Sequence, residues 1–141
     1  MKPYLLDTNV LLALAWPNHL HHHGALAWFS RKGAAGFRTC PLTEGGFVRI
    51  SSNPAFTPEA VAPSDAMALL ERVTKLRGHG FWPDDLALRE AVGGLALAGH
   101  RQVTDAYLIA LASAHGGVLA TLDRGAAALA RQAGHAADLI E

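Results

Sequence analysis

One cysteine among 141 residues, Cys40, cannot form an intramolecular disulfide, so nothing in the chain calls for an oxidising compartment. No apolar run approaches the roughly 20 residues of a helical membrane span. The opening Met-Lys-Pro-Tyr-Leu-Leu-Asp reaches an acidic residue too soon for a secretory leader, and a cytoplasmic protein with no membrane partner is expected. An excess of charge is missing too. Twelve basic residues cancel twelve acidic ones, which excludes a bulk electrostatic footprint for nucleic acid and leaves only local charge to bind it. Nine of the twelve bases are arginine, whose planar fork suits phosphate. What the chain does have is apolar mass. Half its residues are hydrophobic and 17% are charged, which argues against disorder. The length suits a single domain over residues 1–141, with no internal repeat or low-complexity segment.

Strands and helices alternate along the sequence. Pro3 to Leu6 reads as a buried strand running into a helix from Val10 to Ala15. His19 to Arg31 carries Leu20, Ala27 and Trp28 at helical spacing, and Phe37 to Cys40 reads as a second strand before a helix opened by Pro41 and Thr43. The prolines and serines of residues 51–63 mark a loop, after which Ser64 is expected to cap a helix striped by Met67, Leu70, Val73 and Leu76. Phe81-Trp82 is a short strand, and Asp84 or Asp85 is placed to cap the helix that follows. Thr104 is expected to cap the apolar helix Asp105 to His115; Val118 to Leu122 is a strand, Ala126 to Gln132 a helix, and Ala136 to Ile140 an edge strand. Such alternation predicts α/β layers around a mostly parallel sheet.

Four acids stand at informative places. Asp7 and Asp123 end apolar strands, Glu44 follows the second strand closely, and Asp105 opens an apolar helix. In parallel α/β sheets ligands bind beyond the carboxyl ends of the strands, so three of the acids fall on that edge and the fourth reaches it from a helix start. Crowded carboxylates repel, by about 4 kcal/mol for a pair roughly 4 Å apart at an effective dielectric near 20. They must protonate, separate or take up a cation, and an all-oxygen set suits Mg²⁺ or Mn²⁺ and phosphodiester cleavage. The competing account is that each acid is only a helix cap or a partner of the helix dipole.

The motifs themselves resemble a known family. Tyr4-Leu5-Leu6-Asp7-Thr8-Asn9-Val10 resembles the first acidic motif of PIN domains, Pro41-Leu42-Thr43-Glu44 the second, Val103-Thr104-Asp105-Ala106-Tyr107-Leu108 the third, and Ala120-Thr121-Leu122-Asp123-Arg124-Gly125 the fourth. Order and spacing agree across essentially the whole chain, and the compact length resembles VapC toxins of type II toxin–antitoxin systems. The resemblance implies a three-layer α/β/α sandwich and Mg²⁺- or Mn²⁺-dependent endonucleolytic cutting of RNA. It implies a VapB-like antitoxin as partner and a homodimer. Asp7, Glu44, Asp105 and Asp123 would be catalytic, holding the metal directly or through water; Thr8 and Asn9 would position Asp7 or the metal waters, and Thr121 would orient the acids by hydrogen bonding.

His100, Arg101 and Arg124 lie near Asp105 and Asp123 in sequence and are candidates for contacting substrate phosphates, set against an ordinary role as solvated loop residues. His19, His21, His22 and His23 look like a metal site, but adjacent spacing does not put three of them on one helical face, and an exposed helix start explains them better. A haloacid-dehalogenase-type phosphatase would need a second acid where Asn9 stands. A non-catalytic PIN-like binding module is expected to have lost an acid, whereas all four are present; an RNA-processing PIN nuclease outside toxin–antitoxin systems is the nearer rival.

Overall fold

The computed structural model describes residues 2–141. In chain order the elements are β1 (Tyr4–Leu6), α1 (Thr8–Ala15), α2 (His22–Arg31), a 3-10 turn (Gly33–Ala35), β2 (Phe37–Thr39), α3 (Pro41–Ser51), α4 (Pro63–Thr74), β3 (His79–Phe81), α5 (Leu88–Val92), α6 (Gln102–Ala114), β4 (Val118–Thr121), α7 (Arg124–Gln132) and β5 (Ala137–Leu139). The five strands form one sheet in the order β3-β2-β1-β4-β5, every neighbouring pair parallel. β1 and β4 are covered by helices on both faces, which is why they read as nearly continuous apolar runs, whereas β2 alternates as Phe37-Arg38-Thr39.

Alternate residues of each strand serve opposite layers. Leu6, Phe37 and Ala120 pack against Val10 and Leu11 of α1, Trp28 of α2, Phe47 of α3 and Leu70 of α4. Leu5 and Leu119 face the other way, into Ala91 of α5, Leu108 and Leu111 of α6 and Leu129 of α7. The result is a three-layer α/β/α sandwich. Among the described residues no helix is long and apolar enough to cross a membrane.

Several helix starts differ from the sequence expectation, each for a local reason. Ser64 does not cap α4; Pro63 occupies the first turn behind Ala62, and its ring presets the helical φ. Thr104 lies inside α6, which begins two residues earlier because the Gln102 side chain accepts the Ala98 N–H at 2.6 Å and closes the preceding loop. α2 starts at His22 and buries Ala25 and Trp28, while Ala27 is exposed and Leu20, ahead of the helix, is 89% exposed. Asp84 does cap a helix, but a distant one: its Oδ2 accepts the Leu42 N–H at the start of α3, 3.1 Å away.

The sheet order places a switch point at its centre. From β1 the chain moves outward through β2 and β3, then crosses back to lay β4 on the other side of β1. The connections leaving β1 and β4 therefore diverge, opening a crevice at their carboxyl ends, where ligands bind in open α/β sheets. Close approach at the opposite end is set by Gly117: a Cβ there would lie 2.7 Å from the Pro3 carbonyl oxygen and 2.5 Å from the Trp82 ring. Gly117→Ala is expected to destabilise the fold by about 1–3 kcal/mol through overpacking, read as a lower urea midpoint at unchanged slope; an unchanged midpoint would show that both Trp82 and the Pro3 carbonyl can give way.

Candidate metal centre

Each of the four acids sits on the cap or in the first turn of a helix: Asp7 on α1, Glu44 on α3, Asp105 on α6 and Asp123 on α7. The partial positive charge of a helix start favours a carboxylate there. Asp7, buried at the end of β1, accepts the Thr8 N–H on Oδ1 at 2.8 Å and the Thr121 hydroxyl on Oδ2 at 2.7 Å. The same Thr121 oxygen accepts the Asp123 N–H at 3.0 Å, and Asp123 accepts the Gly125 N–H at 2.7 Å. Asn9 adds a third tie, its Oδ1 accepting the Leu122 N–H at 3.3 Å. The turns that leave β1 and β4 are thus bonded to each other across the switch point. Capping is real for Asp7 and Asp123, yet it leaves acceptor capacity on both carboxylates.

Electrostatics link three of the acids. Burial raises the Asp7 pKa, opposed by its bonds from Thr121 and Thr8 and reinforced by the charge of Asp123. Asp105 is pushed up to about 6, first by burial and then by the charges of Asp7 and Asp123. Among the described residues, no lysine or arginine forms an ion pair with any of the four acids. Glu44 stands apart. Its Oε2 accepts the hydroxyl of Thr39 at 2.7 Å, it edges a groove with Met67 and Leu70 between α3 and α4, and its charge does not figure in the shifts of Asp7 or Asp105.

The remaining candidates are placed variously. Thr8 serves Asp7 through its backbone; its side chain packs on α3, where a Cβ at Gly46 would lie 2.9 Å from the Thr8 hydroxyl. His100 and Arg101 are exposed ahead of Asp105, and Arg124 is exposed at the start of α7 with Glu141 3.9 Å away. The histidine cluster closes the far end of α1: His22 Nδ1 is 2.7 Å from the Ala13 carbonyl oxygen and His19 Nδ1 accepts the His21 N–H at 3.0 Å. That end is about 12 Å along the helix from Asp7. Two residues escaped the sequence reading. Thr39 carried a faint signal, a hydroxyl in an apolar strand five residues before Glu44; His79 carried none, because only the parallel pairing of β2 and β3 brings it to Thr39.

Among the described residues, no three His, Cys, Asp or Glu side chains form a ready group that would hold an ion by direct ligation. An all-carboxylate set fits a hard divalent cation nonetheless, since Mg²⁺ keeps several waters and takes only one or two carboxylates directly. Mutual repulsion among Asp7, Asp105 and Asp123 gives such an ion its driving force.

An acidic switch point on a parallel sandwich of this kind defines a class, and the PIN domain family model matches residues 4–132. The chain belongs to the PIN-domain family. Within it, the chain groups with the VapC proteins. Ribonuclease VapC39 of Mycobacterium tuberculosis is 49% identical over 139 residues, covering 97% of this chain and 96% of that one. Ribonuclease VapC38 of the same organism is 45% identical over 128 residues, covering 91% and 90%. Among solved structures, VapBC2 from Rickettsia felis bound to a promoter DNA fragment aligns over 98% of both chains with a TM-score of 0.63 at 11% identity, a likeness of fold.

Asp105→Asn removes one of three mutually repelling charges, so at neutral pH and in EDTA the variant is expected to melt above the parent protein. Mn²⁺ should reverse the order, raising the parent by about 2.7 kcal/mol at a hundred times its dissociation constant and the variant by much less. Equal responses to Mn²⁺ in a thermal scan would remove Asp105 from the site.

Proposed function

We propose that the chain is a Mg²⁺- or Mn²⁺-dependent endoribonuclease and the toxin of a toxin–antitoxin pair. The observation that carries this reading is the gathering of Asp7, Asp105 and Asp123 at the switch point, with no lysine or arginine ion-paired to them among the described residues. The ribonuclease names of the M. tuberculosis relatives and the antitoxin-bound state of the R. felis neighbour support it.

A bound divalent ion supplies an activated water near neutral pH and stabilises charge on the phosphodiester oxygens. This chain's residues supply the rest. Asp7, Asp105, Asp123 and Glu44 would hold such an ion, directly or through water, and the Thr39 hydroxyl occupies one of the two Glu44 oxygens. Thr121 and the Thr8 N–H fix both oxygens of Asp7, so its lone pairs are presented in one orientation. Asn9 keeps the two turns at a constant separation. His100 and Arg101, exposed ahead of α6, and Arg124, exposed at the start of α7, would contact the flanking phosphates. A chain with no net charge gains little from long-range attraction to RNA, so affinity comes from the ion and these few contacts.

Purified full-length protein is expected to cut a mixture of structured RNAs with Mg²⁺ or Mn²⁺ and not in excess EDTA. Asp105→Asn should lower the rate by roughly two orders of magnitude or more, the equivalent of several kcal/mol of lost charge stabilisation. Expression without an antitoxin should arrest growth, and the same variant should relieve the arrest. Cleavage that persists in EDTA, or an Asp105→Asn protein as active as its parent, would overturn the proposal. Unimpaired growth at high soluble levels of an active nuclease would overturn the toxin role alone and favour RNA processing.

A further inference from the structure

The hydroxyl of Thr39 lies fully buried between two side chains, 2.7 Å from Glu44 Oε2 and 2.7 Å from His79 Nε2. A hydroxyl has one hydrogen to give and can accept others. An ionised carboxylate only accepts, so the Thr39 hydrogen must go to Glu44. Thr39 then faces His79 with a lone pair, and Nε2 must carry a hydrogen of its own. A neutral ring protonated at Nδ1 would instead present a bare Nε2 and compete with Glu44 for that one hydrogen. Both the neutral Nε2–H ring and the imidazolium satisfy the arrangement.

The surroundings hold this chain of bonds in place. His79 opens β3 opposite Phe37, whose ring lies 5.4 Å from its own between centroids, and Thr39 ends β2. Glu44 and Arg38 are the charged groups that act on the ring. Thr39 is fully buried, so no solvent competes for its hydroxyl.

We propose that His79 is a positioning residue for the acidic centre: by donating from Nε2 to Thr39 it directs the Thr39 hydrogen onto Glu44 Oε2, which fixes the carboxylate and leaves Oε1 available. The consequence for activity rests on the reading of Glu44 as a member of the cation site. A partner that orients a metal-site carboxylate typically contributes on the order of tenfold to a hundredfold in affinity or rate. Glu44 needs such a partner because Asp7 and Asp123 are bonded by backbone N–H groups of their own helices, whereas among the described residues its side chain bonds to Thr39 alone.

The test joins a spectroscopic and a functional readout on the full-length protein. ¹⁵N spectra of ring-labelled histidine, with the His79 signals identified by their loss in His79→Gln, are expected to show hydrogen on Nε2. Mn²⁺ affinity, read from the EPR signal of the free ion, and the cleavage rate should fall on the order of tenfold or more in His79→Leu. Both should stay near the parent values in His79→Gln, whose side-chain amide still donates. Thr39→Val against Thr39→Ser makes the same comparison if His79→Leu fails to fold. A bare Nε2 overturns the proposal, as does a donor-free variant with undiminished Mn²⁺ affinity while Asp105→Asn loses it. If Asp105→Asn also keeps its Mn²⁺ affinity, the assignment of the acidic centre has failed, and the ring nitrogen alone decides whether His79 donates.

Discussion

A carboxylate buried at the carboxyl end of the central strand organises the rest of this molecule. Asp7 sits where two layers of helices meet the sheet, and an ionised group there is costly unless its oxygens are bonded. The fold meets that cost with one backbone N–H from the helix that follows and one hydroxyl from the neighbouring strand. The hydroxyl is Thr121, and it accepts in turn from the backbone of Asp123. One buried charge thereby sets the seating of α1, the ending of β4 and the start of α7. Satisfying Asp7 also brings a second acid next to it, and the helix start of α6 brings a third. Gathering like charges in this way costs the fold stability.

Much of this was legible in the sequence. The acids at strand ends, the alternation of strand and helix and the apolar character of the central strands all have local causes, so the sandwich and the placement of Asp7 and Asp123 follow from short-range pattern. Helix starts were less legible. Pro63, Gln102 and Asp84 determine them through a ring constraint, a side chain reaching back to Ala98 and a side chain reaching Leu42 from 42 residues away in sequence. Glu44 shows the limit most clearly. Its proximity to β2 is visible in the sequence, but its bond to Thr39 and the approach of His79 depend on the register of two parallel strands, which no local pattern encodes.

The four acids also differ in how they are held, a distinction that one-letter motifs conceal. Asp7 and Asp123 are anchored by main chain, and their orientation is as rigid as the turns that carry them. Asp105 is half-buried in the first turn of a helix, where burial first and then the charges of Asp7 and Asp123 push its pKa up to about 6. Glu44 is longer and is anchored by a side chain on another strand. The acids are thus held by unlike means, main chain for Asp7 and Asp123 and a buried hydroxyl for Glu44.

The pairing of β1 with β4 has a further consequence, in time. Thr121 follows Asp7 by 114 positions, so the bond between them closes a loop spanning most of the chain. Contacts so distant in sequence form late, because chain entropy must be lost before they can repay it. During synthesis the first strand leaves the ribosome with its acid unpartnered, and the crevice does not exist until the fourth strand has followed it out. Any chemistry the crevice performs must therefore wait until both β1 and β4 have left the ribosome.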